Sequence, residues 1–395
     1  MHVDEDKILY DQIGRLKSED AGIEYDTDEL DEPDETNEKP FEAEKIRVDQ
    51  QMLSVKYMLE LMDQNLIELN PGYQRHYVWK ENKRKSLLIE SLMLRIPIPA
   101  FYFYENEDGI YQVIDGQQRL NTIKEFVDGK FALSGLEYLG EQYNKKRFKD
   151  IDIKYVQRIY RTQIAVNILD ARSPKKVIYD IFRRVNTGGV NLNPQEMRNA
   201  ICKQEVRDLL RACTLKQSYK QATRNRIKDI RLDAQELVLR FFAFYMLYDY
   251  TRDSLKYEYS NIATMLDDAI EKLNKMSGSM RSSIAEQFDE AMKRAYAAFG
   301  EYAFSKISKC QNGRDVERSM DVINKSLFSS FSVLLLRPQY DSFNFMAHKK
   351  DILCTLALAL EEKLYVDSIT AGTGNKKNIH INFSYSREVL DKCLS

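Results

Sequence analysis

Only eight prolines and 15 glycines are spread over 395 residues, and this scarcity constrains the fold more than any other feature. Both residues interrupt regular elements, so a chain so poor in them favours helices. From Ser173 onward the apolar spacing predicts almost nothing else. Helices are expected over Lys175–Val185, Pro194–Cys213, Asp233–Tyr250, Tyr259–Lys275, Ile284–Phe299, Val316–Leu336 and Lys349–Leu364. The earlier part of the chain mixes periods. Helices are predicted over Val55–Met62 and Lys80–Arg95, the second stopped by Pro97-Ile98-Pro99. Ala100–Tyr104 and Tyr111–Ile114 read as strands separated by the turn residues Asn106–Gly109. A helix follows as far as Val127, then a short strand over Lys130–Leu133 and a longer one over Arg161–Ile168. The expected class is α+β: an α/β module over residues 46–170, then a mostly α-helical domain over 171–395.

Charge divides the chain differently. The formal net charge is −2, yet residues 1–45 hold 17 acids against five bases, a net of −12. The remaining 350 residues therefore carry +10. A run such as Asp26–Glu38 repels itself and has no apolar face to bury, so 1–45 is expected to be a largely disordered acidic tail. Two roles stay open for it: a solvating tail, or a strand-like arm that covers a basic groove in the body. The basic body points to a polyanionic partner, with DNA the expected one. An apolar content of 43% supplies a core, and no apolar run approaches the roughly 20 residues of a membrane span. The amino terminus, Met1–Asp6, lacks the basic-then-apolar pattern of a secretory signal. Five scattered cysteines without CxxC spacing, and four histidines, argue against structural zinc and a disulfide framework and point to the cytoplasm.

Three segments concentrate chemistry. In Val113-Ile114-Asp115-Gly116-Gln117-Gln118-Arg119-Leu120 an apolar strand end, a Gly and a helix start meet. Backbone N–H groups at such a junction converge on an anion, aided by the helix dipole. Arg119 could grip phosphate oxygens bidentately, and Asp115 could hold a divalent cation or position a water. Asp115 as a simple helix cap, with Arg119 as its ion-pair partner, accounts for the spacing equally well. The segment Asn70–Trp79 gathers Gln74, Arg75, His76 and three aromatic residues, suited to stacking on a base with Arg on phosphate. Trp79 and Tyr77 serve equally as core anchors. The third segment runs from Phe182 to Ala200. Asn186-Thr187-Gly188-Gly189 ends one helix, and Asn193-Pro194 starts the next. Arg183, Arg184, Gln195, Glu196, Arg198 and Asn199 exceed what capping requires.

Taken in order, these three segments resemble the DGQQR-motif domain found at the amino terminus of GmrSD-type modification-dependent restriction enzymes, over about Val48 to Ala200. The resemblance implies a ParB/sulfiredoxin-like core. It implies a phosphate site built from Asp115, Gly116, Gln117, Gln118 and Arg119, lined by Gln74 and Arg75 and closed by Asn186, Thr187, Gly188 and Gly189. It also implies an NTP, GTP or ATP, with Mg²⁺ or another divalent cation, hydrolysed in bacterial defence against phage or foreign DNA. Long family members add a nuclease of the His-Asn-His type. Here the only histidines past residue 76 are His348, at a helix start, and His380, in a strand-like stretch Asn378–Phe383. Nuclease activity is therefore not expected of this chain alone, and a separate nuclease or methyltransferase is the expected partner.

One further feature lies in the helical region. Lys203, Arg207 and Arg211 recur at four-residue spacing, as do Lys216, Lys220, Arg224 and Lys228. Residues 203–231 carry nine bases against three acids. Such a stripe could track a phosphate backbone, or be an ordinary solvated face. Thr370–Lys377 is a weaker phosphate or nucleic-acid candidate and reads better as a plain surface loop. The expected function is a nucleotide-binding, NTP-hydrolysing restriction-like defence protein that couples its phosphate site to DNA or partner sensing. The alternative is a non-enzymatic DNA-binding or adaptor module. Homo-oligomerisation stays open.

Overall fold

The computed structural model describes residues 21–24, 47–69, 81–106, 108–170, 172–173, 178, 181, 193–229, 231–311, 315–340 and 342–394. They fall into two compact units: 47–201, and 202–394 together with 21–24. The first strand, β1 (Ile23–Glu24), belongs to the second unit.

The 47–201 unit is built on β2 (Val48–Ser54), α1 (Val55–Asp63), β3 (Ile67–Glu68), α2 (Asn82–Leu94), β4 (Phe101–Glu105), β5 (Tyr111–Asp115), α3 (Gln117–Val127), α4 (Gly140–Tyr143), α5 (Ile153–Arg161), β6 (Gln163–Asp170) and α6 (Pro194–Ile201). The strands form one mixed sheet in the order β2-β6-β4-β5-β3. β2 and β6 pair antiparallel, β6 and β4 parallel, β4 and β5 antiparallel, and β5 and β3 parallel. Period-two alternation gives the sheet two faces. Phe101, Phe103, Val113, Ile164, Val166 and Ile168 enter the main core with residues of α1, α2, α3 and α5. Tyr104, Ile114 and Leu169 enter a smaller core with Ala200 and Ile201 of α6. Ser54 caps α1 by accepting from the N–H of Tyr57 at 3.2 Å.

The second unit holds α7 (Gln204–Leu215), α8 (Gln217–Ala222), α9 (Asp233–Leu247), the hairpin β7 (Tyr248–Asp249) and β8 (Ser254–Leu255), α10 (Ile262–Lys275) and α11 (Gly278–Phe299). There follow β9 (Ile307–Gln311), β10 (Asp315–Arg318), β11 (Ile323–Asn324), α12 (Lys325–Leu334), α13 (Ser342–Ala347), α14 (Lys349–Ala359), α15 (Lys363–Ser368) and α16 (Lys376–Leu394). Every residue of α12 is buried, as is the run Asp233–Phe244 of α9. Helices with no solvent face must satisfy their polar groups internally. Accordingly Ser330 Oγ reaches Asn382 Oδ1 at 3.0 Å and Ser386 Oγ at 2.8 Å. Glu236 is shared by two cations, Arg240 at 2.8 Å and Lys325 at 3.3 Å.

Four residues of the acidic leader complete this unit. β1 pairs in parallel with β11, and Ile23 is fully buried in the large core. Position 22 admits only glycine: its φ is +77°, and a β-carbon there would stand 2.2 Å from the carbonyl oxygen of Arg226. Its own carbonyl accepts from the N–H of Ile323 at 3.0 Å, and that of Ala21 from the N–H of Lys228 at 3.1 Å. Glu24 pairs with Lys306 and accepts from Asn324 Nδ2 at 2.9 Å. The rest of the acidic segment lies outside the described residues.

The structure departs from the sequence expectations at several elements. Lys130–Leu133 is not a strand; Leu133 alone exchanges backbone bonds with Lys145 and Lys146, at 2.7 and 2.9 Å. The expected helix Pro194–Cys213 is two, α6 and α7. They are separated where the N–H of Lys203 turns to Asn274 Oδ1 at 3.0 Å. The helix expected over Val316–Leu336 begins only at Lys325, because 315–318 pair with β9 and Asn324 caps α12. Asn378–Phe383, expected as strand, lies in α16, where Ile379, Phe383, Ser386 and Leu390 are buried at helical spacing. Most of the helix expected over Lys175–Val185 lies outside the described residues. One disulfide joins Cys310 and Cys354, with Cα atoms 5.1 Å apart, which scattered cysteines did not lead us to expect. The pair meets because β9 packs on α14.

Truncating Ile23 removes a fully buried aliphatic side chain. Ile23→Ala should lower stability by roughly 2–5 kcal/mol. Denaturant melts of the full chain would read this, and an unchanged midpoint would show that β1 contributes nothing.

Candidate functional site

The Asp115–Arg119 segment lies where β5 ends and α3 begins. The direction of the chain changes at a single residue. Gly116 has φ +96°, and a β-carbon on it would lie 2.4 Å from the ring of Phe101. Only glycine meets both conditions. The Gly116 carbonyl accepts the first helical bond, from the N–H of Leu120 at 2.8 Å, and α3 starts without a side-chain cap. The amide end of α3 thus carries the partial positive charge that attracts anions.

Arg119 does not project freely from this turn. One nitrogen donates to Asp115 Oδ2 at 2.7 Å and to the carbonyl of Ala100 at 3.2 Å, and the other donates to the carbonyl of Pro99 at 2.5 Å. Its guanidinium lies 4.6 Å from the centre of the Phe101 ring. Arg119 is 13% exposed and Asp115 35%. Burial lowers the Arg119 pKa below its ordinary value, opposed by the charge and hydrogen bond of Asp115. The group stays charged, since an arginine begins so far above neutrality. The side chain therefore fastens the start of β4 to the end of β5, and Asp115 keeps one oxygen outside this pairing. Among the described residues no three of His, Cys, Asp and Glu gather in one place.

Gln117 and Gln118 open α3 and are partly exposed. Gln74, Arg75, Asn186, Thr187, Gly188 and Gly189 lie outside the described residues, as do Arg183 and Arg184.

The excess polar residues of the third segment resolve into two groups. Asn193 and Glu196 cap α6 reciprocally: Glu196 N–H donates to Asn193 Oδ1 and Asn193 N–H to Glu196 Oε2, both at 2.7 Å. Gln195, Arg198 and Asn199 are buried. Neither amide atom of Gln195 has a hydrogen-bond partner, an arrangement that costs roughly 1–3 kcal/mol per group unless something fills it. Gln112 shares this property at Oε1, and alternation along β5 places it with Ile114 on the sheet face that α6 covers. The sequence pointed to Gln195 only as one polar residue among many. Gln112 was missed, although a lone amide between apolar strand positions is a usable signal.

The basic residues of 203–231 are not one face. Arg207 is buried and donates to Gln204 Oε1 at 3.0 and 2.8 Å. Lys216 is the junction between α7 and α8 and lies 3.9 Å from Asp289. Arg224 has left-handed backbone and turns inward to the carbonyl of Glu301 at 2.8 Å and to Asp321 at 3.2 Å. Arg211 and Lys228 are exposed, while Lys203 and Lys220 are half-buried. His348 lies 3.6 Å from Asp351, and His380 is on α16.

Residues 58–203 match the model of the family described as GmrSD restriction endonuclease, N-terminal domain. The matched stretch contains all three motif segments, so this part of the chain resembles that domain in sequence. No curated protein and no solved structure matches the chain. Among the described residues no helix is long and apolar enough to cross a membrane.

The latch predicts its own substitution pattern. Arg119→Lys keeps the charge but cannot span two carbonyls, a carboxylate and a ring face together. It should lower the thermal midpoint nearly as much as Arg119→Ala, a loss of about 1–3 kcal/mol. If lysine restored full stability, the planar contacts would not matter.

Proposed function

We propose that the 47–201 unit binds a nucleoside triphosphate, GTP or ATP, at the start of α3. In this reading the whole protein is a restriction-like defence factor that couples nucleotide hydrolysis to the sensing of DNA or a partner. The single observation that carries it is the Gly116 turn. It ends a strand, excludes every side chain but hydrogen, and begins an uncapped helix inside the stretch that resembles the restriction-enzyme domain. Phosphate oxygens suit such amide groups. Gln117 and Gln118 would line the phosphates, with Gln74, Arg75 and residues 186–189 contributed by the flanking segments. Arg119 acts here chiefly as a positioning residue, since its fork is spent on Pro99, Ala100 and Asp115.

A divalent cation fits this site in a restricted way. Asp115 supplies one partly exposed carboxylate, and no further acid or histidine cluster stands beside it among the described residues. Mg²⁺ commonly takes one or two carboxylates, with water and substrate phosphates as its other ligands. When bound it would neutralise charge developing on the phosphates. The oxygen of Asp115 not used by Arg119 would orient that ion or an attacking water. We further assign this unit a ParB/sulfiredoxin-like core, supported by its mixed sheet and the sequence resemblance. DNA and a separate nuclease or methyltransferase are the partners we propose, in the bacterial cytoplasm.

The engagement of Arg119 favours one second reading, a module that binds phosphate without hydrolysing it. Phosphate release from the four NTPs, with Mg²⁺ or Mn²⁺ and with or without DNA, separates the two. Asp115→Asn preserves an acceptor for Arg119, so the fold should hold while release falls about ten-fold or more. Nucleotide binding in calorimetry without phosphate release would support the second reading. Neither binding nor release by the unaltered protein would sink both.

A further inference from the structure

Residues 137–161 of the 47–201 unit, which include α4 and α5, carry seven bases against four acids. Lys145, Lys146, Lys154 and Arg161 are exposed, and none of them meets a carboxylate within ion-pair distance among the described residues. The two nearest acids have local partners: Asp152 accepts from the Tyr143 hydroxyl at 2.5 Å, and Asp150 from the N–H of Arg147 at 3.1 Å. Unpaired surface lysines alone are ordinary. Two features set this surface apart.

The first is that its cations form a line. Lys154, Arg158 and Arg161 recur at spacings of four and three, one stripe of α5 about 10 Å long. Lys154 Nζ lies 4.8 Å and the Arg158 guanidinium 5.2 Å from the centre of the Tyr155 ring, against which Tyr143 packs edge-on at 5.2 Å. Lys145 and Lys146 follow Tyr143 directly, and their backbone is fixed by exchange with Leu133 at 2.7 and 2.9 Å. Arg158 also donates to the carbonyl of Met93 at 3.1 Å, which holds the stripe on α2. An extended row of cations matches the repeating charge of a polynucleotide backbone.

The second is an aromatic ring held out from rigid backbone. Tyr138 is 74% exposed. Beneath it the buried carboxylate of Glu90 accepts three successive N–H groups, from Glu137 at 3.0 Å and from Tyr138 and Leu139 at 2.8 Å each. The Leu139 carbonyl then accepts from the N–H of Tyr143 at 3.0 Å, so Tyr138 stands within one helical turn of the Tyr143–Tyr155 pair. A ring presented this way is ordered before it meets a partner, so binding costs little further entropy. An exposed aromatic face beside a row of cations is the combination that holds unpaired nucleic acid. A duplex hides its base faces. A membrane calls for a broad apolar face, and here Tyr138 and Ile153 are the only exposed large apolar residues.

We propose that this surface binds single-stranded DNA, with Tyr138 stacked on a base and Lys145, Lys146, Lys154 and Arg161 on phosphates. The proposal rests on the reading of DNA as the partner and gives that partner a surface. The basic residues of 203–231 serve less well, because Arg207 and Arg224 are turned inward there.

Fluorescence anisotropy of the full chain, without nucleotide, tests it with a labelled single strand of about 20 nucleotides. The matching duplex, the matching RNA and vesicles containing phosphatidylserine are the comparisons. The single strand should bind about ten-fold tighter than the duplex, and affinity should fall steeply as salt rises. Lys154→Ala combined with Arg161→Ala should weaken binding about ten-fold. It should also flatten the slope of log affinity against log salt by about 1.4, since each phosphate contact on a single strand contributes about 0.7. Tyr138→Ala should weaken binding about ten-fold and leave that slope unchanged, because stacking releases no counterion. Tyr138→Phe keeps the ring and should bind like the unaltered chain. The three side chains are exposed, so melting temperatures should not move; if the α5 variant melts lower, Lys145→Ala with Lys146→Ala is read in the same way. Affinity unchanged in both the charge and the Tyr138 variants overturns this surface while leaving DNA as a partner. No binding of any polynucleotide by the unaltered chain removes both. Tighter binding of duplex or RNA overturns the assignment to single-stranded DNA, and binding of vesicles alone gives the surface to an anionic membrane.

Discussion

The ring of Phe101 fills the space where a side chain on Gly116 would stand, and much of the 47–201 unit follows from that contact. Because the turn is closed by packing, strand β5 can pass into helix α3 without a side-chain cap. Arg119 then reaches back over the same ring and ties the carbonyls of Pro99 and Ala100 to Asp115. One aromatic ring therefore supports the glycine, the cation and the register between β4 and β5. Such a concentration of constraints fixes the position of an anion-attracting helix end without placing a mobile charged group in it.

The helical unit meets a different problem. Its two central helices, α9 and α12, have little or no solvent face, yet they carry Glu236, Arg240, Lys325 and several serines. Buried charge is tolerable only when paired and hydrogen-bonded, and Glu236 receives two cations. The same economy operates at Arg337, which meets Asp253 and Asp391 at 2.5 and 2.6 Å. The unit also recruits Ile23 and Glu24 from before the 47–201 residues in the chain, so its core is discontinuous in sequence. At those four residues the leader's acidity serves a defined contact, Glu24 with Lys306 and Asn324.

Local chemistry made much of this legible. Alternation along Phe101–Glu105 and Tyr111–Asp115, the turn chemistry around Asn106 and the strand-to-helix glycine were all readable, because each is decided by neighbours within a few residues. The three motif segments were visible as a resemblance, which the match over residues 58–203 bears out. Elements decided by distant partners were misread. The stretch around Val316 has helical spacing but pairs with β9, and Asn378–Phe383 alternates locally but packs as part of a 19-residue helix. Four-residue spacing of bases suggested one cationic face; the left-handed residue at Arg224 and the helix junction at Lys216 turn members of that set in different directions.

The amino-acid sequence by itself determined the α+β class, the strand–glycine–helix junction and the split between an acidic leader and a basic body, since all three rest on residue type and short-range spacing. Tertiary structure alone decided that Arg119 is a latch, that Gln195 and Gln112 are buried with unpartnered amide atoms, and that the Tyr219 hydroxyl is buried without a partner. The physical reason is common to these cases. Whether a polar side chain is free, paired or stranded depends on which atoms surround it after folding, and those come from residues remote in the chain.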